Sequence, residues 1–327
     1  MVKKLNMIKS VHVVANARLH MGFFDLNGSM GRRYGSMGLG LDGPVTEINV
    51  HQVFGKSPIL NKASCNERVI KIVENYTKVL NLKNDFNVEC VRLIPEHAGL
   101  GSGTQLALAI GAAINELCGL NLTMQQLAAI SQRGARSGVG VGTFKTGGIV
   151  VDGGRGDLTD VPPVIARGDF PEDWRVLLIF DEANVGTHGE QEIAAFRSLP
   201  NASLASAEKL SHRILMQALP ALAEQDFTNF GQAIRDLQMY TGDYFAPIQG
   251  GRYSSESVGQ VLDYLESQAV ACLGQSSWGP TGFGIFASEI EVNRYVEVLK
   301  EKFKQLPTLT YLVCRGLNRG AIIHSIL

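Results

Sequence analysis

Apolar positions change period several times along the chain. Between Glu67 and Leu82, Val69, Ile72, Val73, Tyr76, Val79 and Leu80 recur at helical spacing, which predicts an amphipathic helix. Val11–Asn16, Val45–Val53 and Phe86–Ile94 are β-rich runs. Leu106–Leu117 is a helical run, and Thr123 is placed to N-cap a helix over Met124–Arg133. Trp174–Asp181 has the continuous apolarity of a buried strand. Beyond it the pattern turns helical over Glu190–Ser198, Ser203–Leu222, Phe227–Tyr240, Ser257–Gln268 and Glu291–Phe303. Short strands are expected at Val270–Gly274, Ile285–Ala287 and Thr308–Cys314. A mixed first half and a helix-plus-strand second half predict two α+β domains, 1–165 and 166–327.

Three glycine-rich stretches interrupt these elements. Gly99, Gly101 and Gly103 lie between the Phe86–Ile94 strand and the helix that begins near Leu106. Glycines there let backbone N–H groups turn toward one point, and a helix N-terminus adds unpaired donors, so the pattern suits a diphosphate or triphosphate. Thr104-Gln105 stands where a Walker A loop needs Gly-Lys-Ser/Thr, and the spacing does not fit a dinucleotide fingerprint. A ligand-free turn is the plain alternative. The second stretch, Arg133–Gly148, and the third, Gln275–Gly284, are expected to be loops that converge with the first on a cleft between the domains.

Composition narrows the class. The 327 residues are 45% apolar with a net charge of −1, so a large core can form and nothing suggests a nucleic-acid track or membrane surface. Glycine (36) outnumbers proline (11), which fits tight ligand-contacting turns better than disorder. Cys65, Cys90, Cys118, Cys272 and Cys314 are odd in number and widely spaced, so a zinc site or disulfide framework is not expected. With no signal peptide pattern and no long apolar span, a cytoplasmic protein is expected. The run from Asp181 to Glu190 brings carboxylates to the end of a buried strand. They could approach a metal, but Thr187 and Glu190 read better as a capping box.

Several segments together carry a family resemblance. Ala15–Gly22, Pro95–Gly103 and Gly279–Gly284 are similar, in order, to the three motifs of the GHMP kinase superfamily. The finer resemblance is to its β-ribofuranosylaminobenzene 5′-phosphate synthases. It is carried by Arg18–Gly22 with Asp25–Gly28, Gly101–Leu108, Arg133–Gly138 with Val150–Gly154, Gln249–Tyr253, and Gln275–Thr281. The resemblance implies a ribosomal protein S5 domain 2-like N-terminal domain and a ferredoxin-like C-terminal domain. Against the kinase pattern, Gly138–Phe144 contains no acid, and Asn16 and Arg18 stand in the region of the first-motif lysine. Losing both groups weakens phosphoryl transfer as the reaction.

The activity implied is condensation of 5-phosphoribosyl 1-diphosphate with 4-aminobenzoate or 4-hydroxybenzoate, releasing CO₂ and diphosphate, in tetrahydromethanopterin biosynthesis. Mg²⁺ and a homodimer are implied with it. The alternatives are a GHMP-type small-molecule kinase and a non-catalytic ligand-binding relative. Under the resemblance, Gly99, Gly101, Ser102, Gly103, Thr104, Arg136, Gly279, Thr281 and Gly282 would bind diphosphate. Arg18, His20, Lys145 and Arg252 would be catalytic. Arg32, Arg33, Tyr253 and Trp278 would hold the benzoate or the 5-phosphate, and Glu96 and Asp25 would hold the metal.

Overall fold

The computed structural model describes residues 10–53, 67–184, 199 and 202–326. The expected helix Glu190–Ser198 and the Thr187–Glu190 cap lie outside these residues. Two antiparallel sheets organise the rest. The first is built on β1 (Ser10–Asp25) and β2 (Tyr34–Val53), which pair along most of their length. The start of β2 also pairs with β4 (Ile149–Asp152), and its end pairs with β3 (Asp85–Arg92). Outside these lie β5 (Val164–Gly168), against β4, and β10 (Ile322–Ile326), against β1.

On this sheet pack α1 (Glu67–Val79), α2 (Ser102–Cys118), α3 (Met124–Ile130) and α4 (Val139–Thr146). Val69, Ile72, Val73 and Tyr76 of α1 turn inward as their spacing predicts, whereas Val79 faces solvent at 56% exposure. Tyr76 crosses α2 at Gly111, where a Cβ would stand 2.3 Å from its hydroxyl, and donates to the Leu127 carbonyl at 2.9 Å. Thr123 caps α3 in a full capping box with Gln126.

The second sheet runs β7 (Cys272–Gln275), β8 (Gly282–Phe286), β6 (Arg175–Asp181), β9 (Leu309–Cys314). Helices α8 (Glu256–Ser267) and α9 (Glu289–Lys302) cover one face, where Leu177 and Ile179 meet Val258, Leu262 and Leu299. On the other face, Val176 and Leu178 join the core shared with the first sheet. This core also takes in α5 (Leu204–Arg213), a π-helical turn Ile214–Ala218, α6 (Leu219–Ala223) and α7 (Phe227–Gln249). Coverage on both faces explains the unbroken apolarity of β6.

Two expectations change. Half of the second glycine stretch is helix: Gly140 and Gly142 sit inside α4, where added Cβ atoms would approach Thr104 and Val150 at 3.0 and 2.6 Å. Close packing here outweighs the low helix propensity of glycine. Helix α7 extends nine residues past Tyr240, through Pro247 to Gln249, and ends at Gly250 with φ 84. Residue 165 lies within β5, and the last described strand, β10, pairs with β1 of the first sheet.

Candidate active site

The Gly99 carbonyl joins three segments distant in sequence. It accepts hydrogen bonds from the Arg18 guanidinium on β1 and, at 2.8 Å, from the Ser276 hydroxyl. Ser276 in turn accepts the His20 N–H at 3.0 Å, and the Arg18 N–H donates to the Leu100 carbonyl at 3.0 Å. Gly99 and Gly279 touch backbone to backbone: a Cβ on Gly279 would lie 2.2 Å from the Gly99 nitrogen. The first and third glycine segments are thereby interlocked across the domain junction.

Above this junction lies a cleft of about 490 Å³. Its floor is the turn into α2. Gly101, at φ 83, occupies the N-cap position without a side-chain acceptor, so the first-turn N–H groups of Ser102 and Gly103 meet the cleft. Arg18, Arg68, Arg133 and Arg136 bring four guanidinium groups to its lining, which contains neither Asp nor Glu among the described residues. Arg68 is held by Glu96 at 2.8 Å and reaches Ser102 Oγ at 3.4 Å. The segment carrying Arg133 and Arg136 is tied down by Asp152, which is fully buried. Asp152 accepts hydrogen bonds from Ser36 Oγ, from Ser137 Oγ at 3.2 Å, and from the N–H groups of Gly138 and Gly154 at 2.9 Å. Burial pushes its carboxyl pKa up, and these donors oppose the shift.

The remaining wall is aromatic. The His20 ring packs on Phe23 with centroids 4.7 Å apart, Phe23 on Phe245 at 6.4 Å, and Phe245 on Trp278 at 4.5 Å. His20, Phe23 and Trp278 line the cleft. Burial first, then the positive charges of Arg18 and Arg136, push the His20 pKa down to about 3, so the ring is neutral near pH 7. The cleft thus offers a cationic surface for several anionic oxygens beside a flat apolar wall.

Of the residues expected at a site, the fold brings together Arg18, His20, Gly99, Gly101, Ser102, Gly103, Thr104, Arg136, Trp278 and Gly279. Others stand apart. Arg252 is engaged in a two-point pair with Asp243, at 2.8 and 3.3 Å, off the cleft lining. Tyr253 packs into the α8–α9 core, where burial pushes its pKa to about 12. Lys145 is exposed in the last turn of α4. Arg32 clasps the carbonyls of Gly153 and Gly154 at 2.7 Å, and Arg33 reaches the Asn27 carbonyl at 3.3 Å; both are exposed and outside the cleft. Gly282 is a packing glycine, its Cβ position 2.5 Å from Val258.

The two carboxylates expected at a metal each have protein partners, Glu96 in Arg68 and Asp25 in a turn. Glu96 and Thr281 line a second cavity of about 460 Å³ that shares only His97 with the cleft. Asp25 Oδ1 accepts the N–H groups of Asn27 and Gly28, each at 2.9 Å. Among the described residues no three His, Cys, Asp or Glu side chains gather to hold an ion. Arg68, Arg133 and Phe23 are cleft residues that sequence reasoning missed. Arg68 opens a helix on a separate segment, so only the fold shows its place.

Two family models match the chain: the GHMP kinases N terminal domain over residues 67–149 and the GHMP kinases C terminal model over residues 218–305. The beta-ribofuranosylphenol 5'-phosphate synthase of Archaeoglobus fulgidus is 36% identical, with 94% of this chain and 97% of the relative covered. Its counterpart in Methanocaldococcus jannaschii is 33% identical, with 81% and 86% covered. Homoserine kinase from Cytophaga hutchinsonii has the same fold, with a TM-score of 0.69 at 16% identity over 99% of this chain and 100% of that one.

Proposed function

The chain belongs to the beta-ribofuranosylphenol 5'-phosphate synthase family within the GHMP kinase superfamily, and from that premise we propose that its arginine-lined cleft performs a decarboxylating phosphoribosyl transfer. The substrates are 5-phosphoribosyl 1-diphosphate and a para-substituted benzoate, and the pathway is tetrahydromethanopterin biosynthesis. The observation that carries this is the pairing of four arginines with an aromatic wall in a cleft lined by no carboxylate among the described residues.

The chemistry needs these features. Departure of diphosphate from C1 leaves an oxocarbenium-like sugar, and negative charge grows on the leaving oxygens. Arg18, Arg68, Arg133, Arg136 and the first N–H groups of α2 line the cleft and would stand around that charge. The ring carbon bearing the carboxylate attacks C1. Loss of CO₂ then returns the C–C electron pair to the ring, so no general base is required. A lining with neither Asp nor Glu among the described residues is compatible with that reaction. Phe23 and Trp278 would flank the benzoate ring and exclude water.

GHMP enzymes use Mg²⁺. An ion held mainly by substrate phosphates would need few protein ligands, and the arginines are the groups of this chain that would meet the diphosphate charge beside it. Among the described residues no helix is long and apolar enough to cross a membrane. A cytoplasmic homodimer completes the proposal, its dimeric state open to measurement by light scattering. The activity is tested by incubating purified protein with the sugar diphosphate, each benzoate and Mg²⁺, and weighing the products. A C-riboside phosphate lacking the carboxyl mass is expected. Unchanged benzoate with consumption of ATP on a small alcohol would instead favour a kinase.

A further inference from the structure

Given the synthase activity proposed above, on which this rests, we propose that His20 selects an oxygen over an amine at the para position of the aromatic acid. The ring of His20 lines the cleft yet is only 3% exposed. The Gly22 N–H points at Nδ1 from 3.3 Å, so Nδ1 is the acceptor of this imidazole. A neutral ring then carries its proton on Nε2, and Nε2 is a buried atom with no hydrogen-bond partner among the described residues. A buried donor left unpaired is costly, and such groups persist where a ligand completes them.

The protonation state is fixed by the surroundings. Burial and the neighbouring charges of Arg18 and Arg136 hold the ring neutral, with a pKa near 3. Because Nδ1 already faces an N–H, the ring cannot turn its acceptor toward the cleft without losing that contact. His20 is therefore a donor-only group over the whole neutral range.

The polar partners on hand in the reaction are the phosphates of the sugar and the aromatic acid. The diphosphate is already served by four arginines and the α2 amides. The His20 ring instead belongs to the aromatic wall, tilted on Phe23 at 57° with centroids 4.7 Å apart. A donor in that wall meets a substituent of the aromatic ring. A phenolic oxygen has lone pairs to receive Nε2–H, and Arg18 and Arg136 favour any negative charge it takes on. An aromatic amine presents N–H groups, and its lone pair is drawn into the ring. It would set donor against donor.

The test compares kcat/KM for 4-hydroxybenzoate and 4-aminobenzoate, at saturating sugar diphosphate, in wild type, His20→Phe and His20→Gln. Wild type is expected to prefer the hydroxyl compound by about tenfold to a hundredfold, the range for leaving one buried donor unpaired. His20→Phe keeps an aromatic ring without the N–H. Its preference should collapse toward one, through loss on 4-hydroxybenzoate alone, and His20→Gln should restore much of it. An unchanged preference in His20→Phe, or a rise confined to the KM of the sugar diphosphate, would overturn the proposal. A second measurement needs no variant and no turnover. In ¹⁵N-histidine-labelled wild type, the buried Nε2–H proton should move downfield on adding 4-hydroxybenzoate and stay in place with 4-aminobenzoate; an unmoved or equally moved resonance overturns the assignment. Absence of CO₂ release by wild type would count against the synthase activity, and the resonance would then decide the role of His20 by itself.

Discussion

Replacing Gly101 by valine should separate the anion site from the fold. Gly101 stands at φ 83, where a β-branched residue is strained, and its Cβ would lie 2.9 Å from Arg18 Cγ and 3.1 Å from Arg18 Nε. The strain costs about 1–3 kcal/mol of stability, which a chain of this size survives with a Tm lower by several degrees. The second effect is local. Valine pushes the Arg18 side chain from its seat on the Gly99 carbonyl and fills space above the α2 amides. Loss of one charge-assisted contact is worth about 1.5–3 kcal/mol, so the Kd for the sugar diphosphate should rise about tenfold to a hundredfold. Isothermal titration with 5-phosphoribosyl 1-diphosphate, beside thermal unfolding followed by circular dichroism, measures both. Gly101→Ala should fall between wild type and valine. A folded Gly101→Val protein with wild-type affinity would refute the placement of the anion at this turn.

Further outcomes follow from other contacts. Arg136→Ala should raise the KM for the sugar diphosphate at least tenfold with little change for the benzoate, as steady-state kinetics with each substrate varied will show. Arg252→Ala should leave both KM values near wild type, because its partner is Asp243, and the exposed pair should contribute no more than about 1 kcal/mol to stability by urea unfolding. Asp152→Asn turns an amide NH₂ toward donors on one side or the other, so it should lower stability by about 1–3 kcal/mol and raise the KM for the sugar diphosphate by loosening the Arg133–Arg136 segment. The lowered pKa of His20 means that the unfolded chain binds its proton first as pH falls. Stability from this group is complete above about pH 6.5 and is lost on the way down toward pH 3. Urea unfolding at pH 7 and pH 5 should show wild type losing about 2 kcal/mol more than His20→Gln.

The elements that follow a clean period were legible from sequence: the inward face of α1, the Thr123 N-cap of α3, the buried strand β6 and the turn into α2. β1 was harder. Its register shifts between Asn16 and Arg18 and between His20 and Gly22, and those irregularities break the two-residue alternation where the chain turns Arg18 and His20 to the cleft. Glycine misled in both directions. Gly140 and Gly142 read as loop residues in sequence but sit inside α4, and Gly99 and Gly279 serve each other as much as any ligand. Basic residues beside glycine, Lys145 and Arg252, read as catalytic because sequence cannot show an exposed helix end or an Asp243 waiting as partner. Arg68 and Arg133 reach the cleft from separate segments, and only the fold joins them to Arg18 and Arg136.

The central claim is that this cleft couples loss of diphosphate from a ribosyl phosphate to loss of CO₂ from an aromatic acid. Release of labelled CO₂ from carboxyl-labelled 4-hydroxybenzoate tests it most directly, measured beside diphosphate release in the same reaction. One CO₂ per diphosphate is expected, with none when 5-phosphoribosyl 1-diphosphate is omitted or replaced by ATP. Diphosphate release without CO₂, or CO₂ release that does not depend on the sugar diphosphate, would contradict it.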